Sequence, residues 1–262
     1  MSRRLLIAAA AVVLTAACKK GEEATPPPPA PIASSAPMQA TAAKYDIETT
    51  GKTSIDMPAP KERIKGETTA AKGVLHVDLA NLSGTRGDLF IDLDTFSTHT
   101  FGNDDDKTQT KHAHTWLQID DMVKDPAARE RNRWVHFAIR SIDNVSAADA
   151  SKIVAVKEGA EDVRVVTLTA HGELELHSLP SKGLKDIPLE VRLHYPAGAA
   201  ADAKPSRIDI TSKSPLVITL ADHDVKPRDS EGIIAQKAFG LLGTKVADVA
   251  NVSIDLHAKP AS

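Results

Sequence analysis

The stretch HGELELH, residues 171–177, sets two histidines around two glutamates with single residues between them. Histidine and carboxylate side chains at that density can hold a metal ion or exchange protons with a substrate. The spacing argues against both. A strand rises about 3.3 Å per residue, which puts His171 and His177 roughly 20 Å apart, whereas zinc ligands lie about 2 Å from their ion. Glu173 and Glu175, about 7 Å apart along one strand face, read as a solvated ladder. A second candidate is His112-x-His114 near Asp104–Asp106, whose histidines could share an ion if both lay on one strand face. Loops rich in His and Asp are more often simply solvated, and the acid run lacks the alternating ligands, turn glycine and distal glutamate of an EF-hand. No Gly-x-Ser-x-Gly elbow, Walker A loop or HExxH motif occurs, and GLLGTK at 240–245 has the wrong spacing to cradle phosphate. The residues therefore assign no catalytic group, no metal ligand and no cofactor, and the expectation is a protein that is not an enzyme.

The elements around these residues explain them better. The chain has 262 residues, room for one large or two modest domains, with 42% apolar and 26% charged residues. Net charge is −3 and aromatics are only 3%, which argues against nucleic-acid binding. A single cysteine, Cys18, excludes an intrachain disulfide and any cysteine-rich zinc site.

Cys18 closes MSRRLLIAAAAVVLTAAC, in which Arg3 and Arg4 precede a short apolar run from Leu5 to Leu14 and then small residues. This reads as a secretory signal over 1–17, too short to span a membrane. Its small-small-Cys ending resembles the lipobox of bacterial lipoproteins, with Thr15 where leucine is preferred. The resemblance implies that Cys18 is the site of lipid attachment and the mature N-terminus. The alternative, an unlipidated leader, would leave a lone thiol in an oxidising compartment. Loss of Arg3 and Arg4 with the leader takes the net charge from −3 to −5. Residues 18–43 follow as a tether, its prolines at 26–29, 31 and 37 favouring extended polyproline at roughly 3 Å per residue.

From about Lys44 to 258 the apolar period becomes two. Leu75 and Val77 alternate with His76 and Asp78; Leu89 and Ile91 oppose Asp88 and Asp92; Val135, Phe137 and Ile139 oppose His136 and Arg140. Val166, Leu168, Leu174 and Leu176 share one parity, and Leu189, Val191 and Leu193 oppose Glu190, Arg192 and His194. Val252, Ile254 and Leu256 continue the rule near the C-terminus. Such repetition predicts half-buried antiparallel strands with one face on a core and the other on water. One helix is expected, roughly Glu231 to Val249, with Ser230 as its N-cap. About eight strands with one short C-terminal helix fit an all-β barrel or a two-sheet sandwich, and the alternation does not separate the two.

The segment LTAHGELELHSLPSKGLKDIPLEVRL resembles the YceI-like family, whose signature is a Gly-x-Leu-x-Leu strand, a turn, and a second alternating strand after a lysine. Gly172, Leu174 and Leu176 match the first strand; Lys185, Ile187, Leu189 and Val191 match the second. Ser178 replaces the glycine usual after the first strand, with Gly183 further on. Gly102, His112 or His114, and Trp116-Leu117 match a weaker middle segment, although Thr110-Lys111 stand where the family has Arg-Asp. Phe239-Gly240 match a closing element, with Gln236 in place of an arginine. The likeness covers about 60–258.

The resemblance implies an extended, lipocalin-like antiparallel barrel that binds a polyisoprenoid or similar amphiphilic lipid in its lumen. The expected lining is Leu75, Val77, Leu89, Ile91, Trp116, Val135, Phe137, Ile139, Leu174, Leu176, Leu189, Val191 and Phe239. The expected partners are this lipid, the only group bound, and a bacterial periplasmic or outer membrane reached through the N-terminal lipid. A homodimer is left open. A barrel of about eight strands has just enough interior for one slender ligand, and each buried CH₂ contributes about 0.8 kcal/mol. The competing expectation is a core-filled barrel serving as a structural or stress-response surface protein.

Overall fold

The computed structural model describes residues 42–58, 63–228, 233 and 247–262. Cys18, the tether as far as Thr41, Ser230 and Phe239 lie outside these residues; of the tether's last two residues, Ala43 is buried and already opens a strand. So does the candidate helix Glu231–Val249, apart from Ile233 and its last three positions, and Val249 there opens a strand.

The strands are β1 (Ala43–Ile47), β2 (Lys52–Pro58), β3 (Arg63–Thr68), β4 (Ala71–Val77), β5 (Arg86–Asp92), β6 (Ser97–Thr98) and β7 (Trp134–Asp143). They continue with β8 (Val156–Glu158), β9 (Glu161–Leu176), β10 (Leu179–Pro180), β11 (Lys185–Pro196), β12 (Arg207–Ser212), β13 (Leu216–Thr219) and β14 (Val249–Pro260). Helices α1 (Asp105–Trp116) and α2 (Pro126–Arg133) separate β6 from β7.

Neighbours run β1-β4-β5-β7-β9-β11-β12-β14, and β14 pairs back with β1, closing an eight-stranded antiparallel barrel. Four walls of the barrel are interrupted strands. β1 and β2 pair in succession along one side of β14, as β12 and β13 do along the other. β4 and β3 together face β1 and β2, and β5 and β6 face β4 and β3. The alternation alone left a sandwich open; the β1–β14 ladder, Tyr45 opposite Pro260 and Ile47 opposite Ala258, decides for closure, which removes the exposed edges of an open sheet.

Parity along β9 holds as the sequence predicts, with Val166, Leu168, Ala170, Leu174 and Leu176 buried. In β7 the register shifts between Ile139 and Ser141, so Arg140 is the extra residue of a bulge and Ile142 turns inward with Phe137.

The helices were not expected. In α1 the acid run Asp104–Asp106 is a helix start: the Asp106 carboxylate accepts the backbone N–H groups of Phe101 (2.9 Å) and Gly102 (2.8 Å). Acidic groups there also oppose the helix dipole. In α2, Asp125 caps Ala127 N–H at 3.0 Å with Pro126 in the first turn.

Candidate functional site: the barrel lumen

The inward side chains leave two adjoining cavities. The first, about 130 Å³, lies between β2, β5, β7, β9, β13 and β14 and is covered by Ala113, Trp116 and Leu117 at the end of α1. The second, about 80 Å³, lies between β4, β7, β9, β11, β12 and β14. Leu89, Phe137, Ile187 and Ile254 line both, so the two are compartments of one lumen with a shared waist. The exposed wall is hydrocarbon throughout the first compartment and almost entirely so in the second. A dry apolar cavity of about 150 Å³ is large enough to take benzene, so each compartment as it stands holds only a short length of hydrocarbon.

Twelve of the thirteen expected lining residues stand in these walls. Ile91, Trp116, Val135, Leu174 and Leu176 line the first compartment; Leu75, Val77, Ile139, Leu189 and Val191 line the second; Leu89 and Phe137 line both. Phe239 lies outside the described residues. Several wall residues escaped the sequence reading. Thr53, Ile55 and Met57 come from β2, a strand outside the stretch that resembles the family, and Leu216 and Ile218 come from β13. For β2 the signal was the alternation at 53–57, too short and too polar to stand out; for β13 it was the alternation of LVITL at 216–220, which predicts a strand without marking it as lumen lining.

Past the second compartment the barrel is plugged. Arg164 has the same parity as Val166 and is buried; it lies 4.3 Å from the centroid of the Tyr195 ring and donates to Ala150 O (3.2 Å) and Ala201 O (2.8 Å). Parity puts nearly all the strand charges on the outer face; Arg164 is an exception, and stacking on an aromatic face and two carbonyl acceptors compensate its guanidinium. Tyr45, fully buried, donates its hydroxyl to Pro205 O at 3.2 Å. Among the described residues, the end of α1 and β13 stand over the first compartment, which none of these plug residues lines.

The residues first suspected of chemistry are in the outer wall. His171 lies between Asp186 (Nδ1 to Oδ1, 2.6 Å) and Asp143 (Nε2 to Oδ1, 2.9 Å). These two carboxylates, Asp186 foremost, raise its pKa above 6.5. Glu173 receives the Arg140 guanidinium at 2.6 Å, so this member of the ladder is paired rather than simply solvated. His177 is not on the wet face. It and Ser178 adopt positive φ (52° and 60°) in the tight turn between β9 and β10. This conformation, usual for Asn-Gly in two-residue hairpins, turns His177 inward, where its Nδ1 meets His223 O at 3.1 Å. Burial, helped by the Arg228 charge, lowers its pKa below 6.5.

Other histidines expected to face water are also covered. His136 is stacked on Phe90, with ring centroids 4.4 Å apart, and donates to Asp88 at 2.9 Å. His194 bridges Glu161 (2.9 Å) and Asp209 (2.8 Å). His112 and His114 are two apart on α1, not on a strand, so they point to different sides of the helix; His114 Nε2 meets Phe96 O at 2.9 Å. Among the described residues no group of three or more His, Cys, Asp or Glu could hold a metal ion, and no helix is long and apolar enough to cross a membrane.

A scan against protein-family models finds no match, and a search of the curated proteins finds none. Several solved structures are similar in fold, two of which follow. One is a polyisoprenoid binding domain from Saccharophagus degradans implicated in plant cell wall breakdown, with 17% identity and a TM-score of 0.47, covering 84% of this chain and 99% of that one. The other is BcnA from Burkholderia cenocepacia, with 12% identity and a TM-score of 0.49, covering 82% of this chain and all of that one. At such identity a likeness concerns the fold alone, and the barrel described above rests on its own strand ladders. The chain thus resembles a YceI-like domain in sequence and has the closed antiparallel barrel that this resemblance implied.

Proposed function

We propose that this protein binds the hydrocarbon chain of a polyisoprenoid or similar amphiphilic lipid in its lumen, without catalysis, while tethered to a bacterial periplasmic or outer membrane by a lipid on Cys18. One observation carries the reading: two adjoining compartments inside a closed barrel with a hydrocarbon wall and no titratable side chain in their lining. A charged head group has no partner in that wall and belongs at the α1 end, outside it. Catalysis needs convergent polar groups around a reacting atom, and the ionisable clusters of this chain lie in the outer wall and the plug, away from the lining. The test is solvent extraction of the purified native protein, followed by mass spectrometry and by uptake of added prenyl alcohol. The expected result is a co-purifying or exchangeable isoprenoid. Absence of both sinks the proposal and favours the core-filled barrel. For the anchor, cells fed radiolabelled palmitate are expected to label the protein, and the Cys18→Ser variant is expected to stay unlabelled; equal labelling of the two refutes lipidation at Cys18.

A further inference from the structure

The two compartments meet at Leu89, Phe137, Ile187 and Ile254, contributed by four different strands. Phe137 is the largest of the four, and the wall is shaped around it. In the β7–β9 ladder Phe137 stands opposite Leu174, and Ile139 stands opposite Gly172. The phenyl ring reaches diagonally onto the bare backbone of Gly172. A Cβ at that glycine would lie 2.3 Å from Phe137 Cζ and 2.6 Å from Cε1, closer than carbon atoms approach. Gly172 is therefore a notch that seats the ring. With the ring already against backbone, it has no further room to retreat into that wall.

We propose that Phe137, seated in the Gly172 notch, sets the length of chain that the lumen accepts. The inference rests on the hydrocarbon-binding reading above and adds a residue and a rule to it. A chain entering beneath α1 fills the first compartment and stops at the ring. Further methylenes do not pass the ring: it has no room to retreat into the wall, and leaving the notch only carries it further across the lumen, so added length brings little added burial. Close packing makes this a step rather than a gradual effect, because a filled waist leaves no width to share.

The experiment measures dissociation constants of geraniol, farnesol, geranylgeraniol and a longer polyprenol for the wild type, Phe137→Ala and Gly172→Ala. In the wild type, affinity is expected to rise along the series and then level off. Phe137→Ala joins the compartments, and its affinity is expected to keep rising, exceeding the wild type by at least about tenfold for the longest probe. Gly172→Ala pushes the ring into the lumen, and its plateau is expected at a shorter probe. Parallel length dependence in the wild type and Phe137→Ala overturns the proposal while leaving lumen binding intact. Binding of no probe by the wild type overturns lumen binding itself. Circular dichroism and thermal unfolding establish that each variant is folded, and Phe137→Leu, which still shortens the side chain, replaces the alanine variant if that one is not.

Discussion

At the scale of single residues, the chain separates groups that look chemical from groups that matter for binding. His171 and His177 were equally conspicuous in sequence, and their surroundings give them opposite responses to pH. The His171 pKa is raised by Asp186 and Asp143, so its folded state holds the proton more tightly than the unfolded chain does. That stabilisation is complete below about pH 6.5 and is lost as pH rises through the higher folded value. His177 is the reverse: burial lowers its pKa, so stability is complete above about pH 6.5 and is lost as pH falls through the lower folded value. Urea unfolding across pH is expected to show His171→Gln less stable than the wild type in acid, with the gap closing toward alkaline pH. His177→Asn, which tolerates positive φ, is expected to flatten the acid-side loss; an unchanged acid slope would refute the assignment. Thr53 offers a different test. Its Oγ1 is buried and has no hydrogen-bond partner among the described residues. Thr53→Val is expected to raise stability by about 1 kcal/mol in denaturant titration, and a clear loss would mean that the hydroxyl has a partner.

At the scale of elements, strands were legible and helices were not. A period of two with apolar residues on one parity needs only local information, and β9, β11, β14 and β7 as far as Ile139 follow it. α1 shows no apolar stripe to read: its buried positions are Gln109 and Ala113, and its contribution to the lumen comes from its last turn. The usable signals were capping ones, Asn103 through Asp106 for α1 and Asp125-Pro126 for α2, and the first was weighed only as a metal site. The last turn of α1 provides a measurable handle. The chain has two tryptophans. Trp116 lines the first compartment, whereas Trp134 lies on the outer side, donating to Glu130 at 3.0 Å beneath the Lys72 ammonium. Prenol binding is expected to change intrinsic fluorescence in the wild type and in Trp134→Phe, and to leave Trp116→Phe silent. A response that survives in Trp116→Phe places the ligand elsewhere.

At the scale of the molecule, closure depends on β1, which lies beside the tether and outside the stretch that resembled the family. Tyr45 at its centre pairs across to Leu75 and Pro260 and is fully buried. Tyr45→Ala is expected to lower stability by about 3–5 kcal/mol, as for other large aromatic truncations, read as a fall in the thermal midpoint; a shift near zero would show that the seam does not hold the barrel. The sequence alone determined most strand faces and placed twelve expected lining residues in the wall, because alternation is a local property of each strand and apolar burial follows it. It also shows that Gly-x-Ser-x-Gly, Walker A and HExxH motifs do not occur. Only the tertiary structure decided that the sheet closes, that Arg140 bulges and Ile142 turns in, that Arg164 plugs one end, and that HGELELH is paired outer wall ending in a turned-in histidine. Each of these depends on register and on partners more than a dozen residues away. Hollowness is the extreme case: the same leucines and valines fill a core or line a cavity, and the difference is whether side chains from opposite walls meet; here they leave two compartments that share Leu89, Phe137, Ile187 and Ile254.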